Sequence, residues 1–99
     1  DKSPIGIAGS QLPVIGVRVF DNQSGIVPSS IRMIVDGAIV VDASNLADAY
    51  DPSDGTVLFT PPASYDSGSN HTVQITASHF AANPPGAVTS VDTWNFTVP

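Results

Sequence analysis

Apolar side chains in this chain recur at every second position, in short runs divided by turn-forming residues. From Val14 to Phe20, Ile15, Val17 and Val19 share one face while Gly16 and Arg18 take the other. That is the period of an extended strand with one face on a core. Asp21-Asn22-Gln23-Ser24-Gly25 then ends the run with turn formers. Ile31, Met33 and Val35 alternate with Arg32 and Ile34, and Asp36-Gly37 leads into Ala38 to Val41. An Asp-Gly pair between two such runs predicts a hairpin, because a type I′ turn needs positive φ at both central residues.

Further along, Val57 and Phe59 point inward from a strand over Thr56 to Thr60, which Pro61-Pro62 terminates. Tyr65-Asp66-Ser67-Gly68-Ser69 turns the chain into His71 to Ser78, where Val73, Ile75 and Ala77 oppose Thr72, Gln74 and Thr76. A last strand covers Val91 to Val98 with Trp94, Phe96 and Val98 on one face. A weak edge strand is expected near Ile5 to Ala8, within an N-terminal linker and edge segment over 1–12. Residues 81–86, holding Asn83-Pro84-Pro85, read as a loop. Residues 42–54 read mainly as loop too, with at most one helical turn across Ala43 to Tyr50.

Six or seven short strands divided by turn chemistry predict an all-β protein, a sandwich or barrel. The expected core is Ile15, Val17, Val19, Ile31, Met33, Val35, Val57, Phe59, Val73, Ile75, Ala77, Trp94, Phe96 and Val98. An odd number of alternating strands puts the two chain ends at opposite poles, which suits beads on a string.

Composition sharpens this reading. With 99 residues the chain forms one domain over 1–99. Apolar residues make up 41% and charged ones 12%, too hydrophobic and too weakly charged for a disordered tail. All the acidic residues are Asp, with no Glu, and there are nine Pro. Asp favours turns where Glu favours helices, so little helix-forming material remains. The net charge of −6, against only Lys2, Arg18 and Arg32, excludes a nucleic-acid partner. No apolar run approaches the ~20 residues of a membrane span, so no membrane insertion is expected. Absence of Cys removes disulfides, thiolate metal sites and thiol chemistry, and with low Lys and abundant Ser and Thr it suggests an exported bacterial protein.

Four stretches in register carry a resemblance. Ser24-Gly25-Ile26-Val27-Pro28-Ser29-Ser30-Ile31 is followed by Ile34-Val35-Asp36-Gly37. Gly55-Thr56-Val57-Leu58-Phe59-Thr60-Pro61 comes next, then Gly68-Ser69-Asn70-His71-Thr72-Val73-Gln74-Ile75-Thr76-Ala77, and last Thr93-Trp94-Asn95-Phe96-Thr97-Val98. Over residues 13–99 the chain resembles the bacterial immunoglobulin-like repeats of large surface proteins and multidomain secreted enzymes. Its segments around 79–86 and 42–54 are longer than is usual there. The resemblance implies an immunoglobulin-like antiparallel β-sandwich of about seven strands, located extracellularly or at the cell surface. It implies a non-catalytic spacer or adhesion module, monomeric when isolated. Its partners would be neighbouring domains of a parent chain, with a protein or polysaccharide ligand also open.

Candidate chemistry is sparse. His71 and His79 are the groups suited to proton transfer near neutrality, and the spacing leaves an Asp–His–Ser set open. There is no Gly-x-Ser-x-Gly elbow, and both histidines read as structural or solvent-exposed, so no catalytic residue is assigned. Asp48, Asp51 and Asp54 recur every third residue before Gly55, and Asp21 and Asp66 lie in turns. Calcium needs six to eight oxygens, but no EF-hand-like loop is present and ordinary turn roles account for each Asp, so no metal or cofactor is assigned. Trp94, Tyr50, Tyr65 and Phe80 could form a sugar-stacking platform. Yet Trp94 shares parity with core residues, and Tyr65 fits a tyrosine-corner brace. Asn22, Asn70 and Asn95 open glycosylation-type triplets, that of Asn95 inside a strand.

Overall fold

The computed structural model describes residues 2–19, 26–82 and 85–99, with backbone alone at 80–82 and 85–88. The turn expected over 21–25 and the Asn83-Pro84 pair lie outside the described residues. Described in chain order, the elements are β1 (Lys2–Ser3), β2 (Gly6–Ile7), β3 (Ile15–Arg18), β4 (Ile26–Val35) and β5 (Ala38–Val41). Then come the one-turn helix α1 (Leu46–Ala49), β6 (Tyr50–Asp51), β7 (Thr56–Phe59), β8 (Asn70–Ala82) and β9 (Pro85–Thr97). They form two sheets, one of order β1-β3-β7-β6 and one of order β2-β9-β8-β4-β5. The protein is therefore an all-β, two-sheet structure.

The apolar layer between the sheets is the one the alternation predicts. Ile15, Val17 and Val19 meet Val57 from the first sheet; Ile31, Met33, Val35, Val73, Ile75, Ala77, Trp94, Phe96 and Val98 meet them from the second. Of the expected core only Phe59 is half-buried, and Ala8 and Val41 join it unforeseen. Each large side chain withdrawn from water contributes ~1.5–3 kcal/mol before entropy is subtracted.

Three departures from the sequence reading have physical causes. First, the N-terminal edge lies at Lys2–Ile7 and serves both sheets: β1 pairs antiparallel with β3, then β2 pairs parallel with β9. The Trp94 indole N–H, buried at the crossover, donates to the Pro4 carbonyl at 3.1 Å, and Lys2 Nζ sits 2.8 Å from Asp92. Local alternation carries no signal for such a crossing.

Second, of the segment read as a loop over 81–86, the described residues Ala81, Ala82, Pro85 and Gly86 belong to a β8–β9 ladder that runs to Ala82↔Pro85. Ladder bonds use only backbone, and a proline at the first position of a strand removes no bond the strand needs. Third, 42–54 holds α1 and β6, and β6 pairs with β7 through Tyr50↔Val57 and Asp51↔Thr56.

Strand β4 is irregular between Val27 and Arg32. Pro28 offers no N–H there, and Ser30 compensates with its side chain. Its Oγ donates to Val27 O and accepts from Ser78 N at 2.8 Å. The serine after Pro28-Ser29 thus replaces a ladder bond.

Asp36-Gly37 forms the expected hairpin turn, with φ of 52° and 83°. Gly55 is constrained differently. Its φ is +79°, and a Cβ built there would lie 2.2 Å from Val19 O, whose own N–H donates to Gly55 O at 2.7 Å. At Gly37 a Cβ would meet nothing within 4 Å.

Two outcomes follow for urea denaturation. Trp94→Ala is expected to cost ~3–5 kcal/mol through the cavity it leaves; a loss below ~1 kcal/mol would show that the indole is not a core side chain. Gly37→Ala should cost ~1–2 kcal/mol, the left-handed penalty alone. Gly55→Ala should cost clearly more, because the backbone of Val19 must also move.

Candidate functional site

The most organised polar cluster among the described residues lies where the β4–β5 turn, the start of β8 and the end of β9 converge. The positive φ of Asp36 turns its carboxylate back over β8. Asp36 N donates to Thr72 O at 2.9 Å, and Thr72 N donates to Asp36 Oδ1 at 2.9 Å. The other oxygen, Oδ2, lies 2.6 Å from His71 Nδ1. On the far side of the ring, Nε2 lies 2.7 Å from Ser69 Oγ. Tyr65 stacks on the imidazole at 3.7 Å between centroids, and the Phe96 ring lies 5.4 Å from it.

Backbone bonds tie the surrounding segments together. Gly68 N donates to Val98 O, Val98 N to Ser69 O, Ser69 N to Asp66 O and Tyr65 N to Gln11 O. The cluster therefore joins the β4–β5 turn, the β7–β8 connection, the last strand and the segment before β3.

Carboxylate, imidazole and hydroxyl stand in the order of a hydrolytic triad. The proton pattern differs. Ser69 Oγ is 2.7 Å from Asp66 O, an acceptor only, so the hydroxyl hydrogen goes to that carbonyl instead of the imidazole. The N–H groups of Gly68 and Ser69 are committed to carbonyls and so are not preorganised for an oxyanion. A hollow of about 350 Å³ has Val35, Val40, Phe59 and Pro61 in its wall and reaches Asp36 and Tyr65, but neither Ser69 nor His71 lines it. As built, the arrangement ties elements together and does not present a nucleophile.

His71 is buried, so of the two environments expected for it the structural one holds; its inward place shares parity with Val73, Ile75 and Ala77. That parity was available in the sequence, whereas the partnership with Asp36, 35 residues away, was not. Burial, and then the charge of Asp36, push the Tyr65 phenol upward. Tyr65 braces this corner with its ring face. His79 lies within β8, not at its end, and lines a cleft of about 190 Å³ with Val17, Ile26, Ile75 and Ala77.

The remaining Asp residues serve their own turns. Asp42 accepts from Ser44 N and Ser44 Oγ, Asp51 from Ser53 N and Oγ, and Asp54 from Thr56 N. Bonds to Ser44 and to Thr56 hold the carboxyls of Asp42 and Asp54 below the usual range. Asp48 lies on α1, and Asp21 is outside the described residues. Among the described residues no three His, Asp, Glu or Cys side chains gather as metal ligands. Nor, among the described residues, do Trp94, Tyr50 and Tyr65 share one exposed face. Trp94 is buried, Tyr50 packs half-buried on the core, Tyr65 covers His71, and the Phe80 side chain is outside the description. No helix among the described residues is long and apolar enough to cross a membrane.

Comparison with family models, curated proteins and solved structures yields no match.

Asp36→Ala would strand the inner nitrogen of His71 and the Thr72 N–H together. A loss of ~1–3 kcal/mol is expected in chemical denaturation, the cost of a buried polar group left unpaired. Asp42→Ala, which frees only an exposed turn, should cost less; equal losses would show that the His71 cluster carries no special weight.

Proposed function

We propose that this chain is a non-catalytic, immunoglobulin-like module of a bacterial extracellular or surface protein, and that it works as a spacer or adhesion domain. One observation carries the reading: the first strand is split, with β1 on β3 in one sheet and β2 parallel to β9 in the other. Lettered in chain order, the sheets read A-B-E-D and A′-G-F-C-C′. This agrees with the immunoglobulin-like order, in which strand C′ extends the G-F-C sheet. The sequence resemblance supports the same class.

The split strand also suits a load-bearing role. β2 and β9 run in the same direction, with Gly6 beside Phe96, Ile7 beside Thr97, and Ala8 N donating to Thr97 O at 2.8 Å. Lys2 lies beside Asp92, and Gln11 Nε2 donates to Pro99 O. Residues 2 and 99 are thus separated by the run from Asp92 to Pro99, ~20 Å at about 3.3 Å per residue. Tension between the chain ends slides β2 past β9 and loads their hydrogen bonds together. Pulling apart the antiparallel β8–β9 pair from its open end at Asn70 and Thr97 breaks its bonds one at a time.

Single-molecule pulling tests this. End-to-end loading should unfold the domain at a clearly higher force than handles at residues 70 and 97; equal forces would remove the mechanical argument. Two further measurements separate the rival functions. Fluorophosphonate labelling of Ser69 is expected to fail, and success would make the protein a hydrolase. Trp94 fluorescence should not respond to polysaccharides, nor the melting midpoint to EDTA; a response to either would favour the sugar-binding or the calcium-stiffened reading.

A further inference from the structure

We infer that the Asn45 side chain closes the open edge of the second sheet, standing in for an added strand and keeping β5 from pairing with β5 of a second copy of this chain. β5 ends the order β2-β9-β8-β4-β5, so among the described residues one side of it has no strand neighbour. It is also the longest of the edge strands described: β1, β2 and β6 have two residues each, and β5 has four. Its Ala-Ile-Val-Val sequence carries no charge, and Ile39 is 55% exposed. An uncharged, apolar edge of this kind invites another strand.

The register shows which backbone groups are at stake. Val35 and Ala38 flank the two-residue turn and exchange the first ladder bonds. Ile39, opposite Ile34, then turns its N–H and C=O to the open side. The register shifts next, leaving Val40 as an extra residue before Val41 meets Met33. Asn45 Nδ2 donates to Val40 O at 2.9 Å, and Asp42 N donates to Asn45 Oδ1 at 2.9 Å. A residue of a parallel neighbour makes the same two bonds, donating to one carbonyl and accepting from the N–H two residues further on. One planar carboxamide thus fills the place of one peptide. What stays open is Ile39 alone, too little for a strand to pair.

The need for asparagine is chemical. The group must donate to a carbonyl and accept from an N–H at once; a carboxylate lacks the donor and a methyl lacks both. Its placement comes from the turn that follows β5. Asn45 N donates to Asp42 O at 3.2 Å, Asp48 N to Asn45 O at 3.1 Å, and the Asp42 carboxylate accepts from Ser44 N. Leu46, next in the chain, packs against the core. Beyond β5 the same edge passes to the part of β4 that β5 does not cover, where Pro28 has no N–H to offer.

A second copy fits the uncapped edge because an antiparallel β5–β5 pair is self-complementary. A two-fold axis at Ile39 sets the N–H and C=O of each copy against those of the other. Net charge opposes the approach, since each copy carries −6.

Asn45 is itself exposed, so Asn45→Ala leaves the core intact. Sedimentation equilibrium is run in ~0.5 M NaCl, which screens the repulsion between copies. Wild type should remain a monomer, while the mass of Asn45→Ala should climb toward twofold as protein rises to ~1 mM, where weak association shows. Adding Ile39→Lys to Asn45→Ala should return it to a monomer, although the lysine restores neither lost hydrogen bond. In wild type the Asp42 N–H should exchange with solvent at least ~10-fold more slowly than the Ile39 N–H, a comparison that needs no variant. A dimeric wild type, an Asn45→Ala variant that stays monomeric, association that survives Ile39→Lys, or equal exchange at Asp42 and Ile39 would overturn the inference.

Discussion

One apolar layer holds two sheets together with no covalent help. The chain has no cysteine, so what chiefly holds β3 and β7 over β4, β8 and β9 is the burial of Ile15, Val17, Val57, Met33, Val73 and Phe96. That constraint fixes much of what surrounds it. A strand that buries one face must alternate, an alternating strand must hold its register, and register places the polar residues at strand ends where they can meet. His71 is buried because it falls on the inward parity of β8, and its polar edges must then be satisfied locally.

The N-terminal segment extends this logic across the layer. A sandwich without disulfides has two open edges on each sheet, and exposed edges invite association. Passing from β3 in one sheet to β9 in the other, Lys2–Ile7 covers an edge of each. Trp94 anchors the crossing by its bond to Pro4 O, so the same side chain fills the core and ties the first strand down. The parallel pairing of β2 with β9 is what results.

Polar organisation is concentrated at one pole. There the hydrogen bonds of Asp36, Ser69 and Thr72 and the rings of Tyr65 and Phe96 enclose His71, and the last strand is latched by Gly68 and Ser69. The carboxylates of Asp42, Asp51 and Asp54 each hold a single turn, and that of Asp92 pairs with Lys2. A cluster joining four parts of the chain has a positional role, and the chemistry it most resembles is redirected by one carbonyl, Asp66 O.

The sequence by itself determined the elements whose information is local. Period-two alternation located β3, the second half of β4, β7 and most of β8 and β9, the Asp36-Gly37 turn pointed to β5, and the parity of Trp94 placed it in the core. Asp36-Gly37 specified its hairpin because few other residues accept positive φ twice in succession. What the tertiary structure decided was the pairing itself, near or distant in sequence: the split first strand, β6 beside β7, the ladder beyond Ser78, and the meeting of Asp36 with His71. Alternation reports which face of a strand is covered, not which strand lies next to it, and backbone ladder bonds leave no mark on side-chain identity. The polar cluster was therefore legible only as separate residues until folding brought them within hydrogen-bond reach.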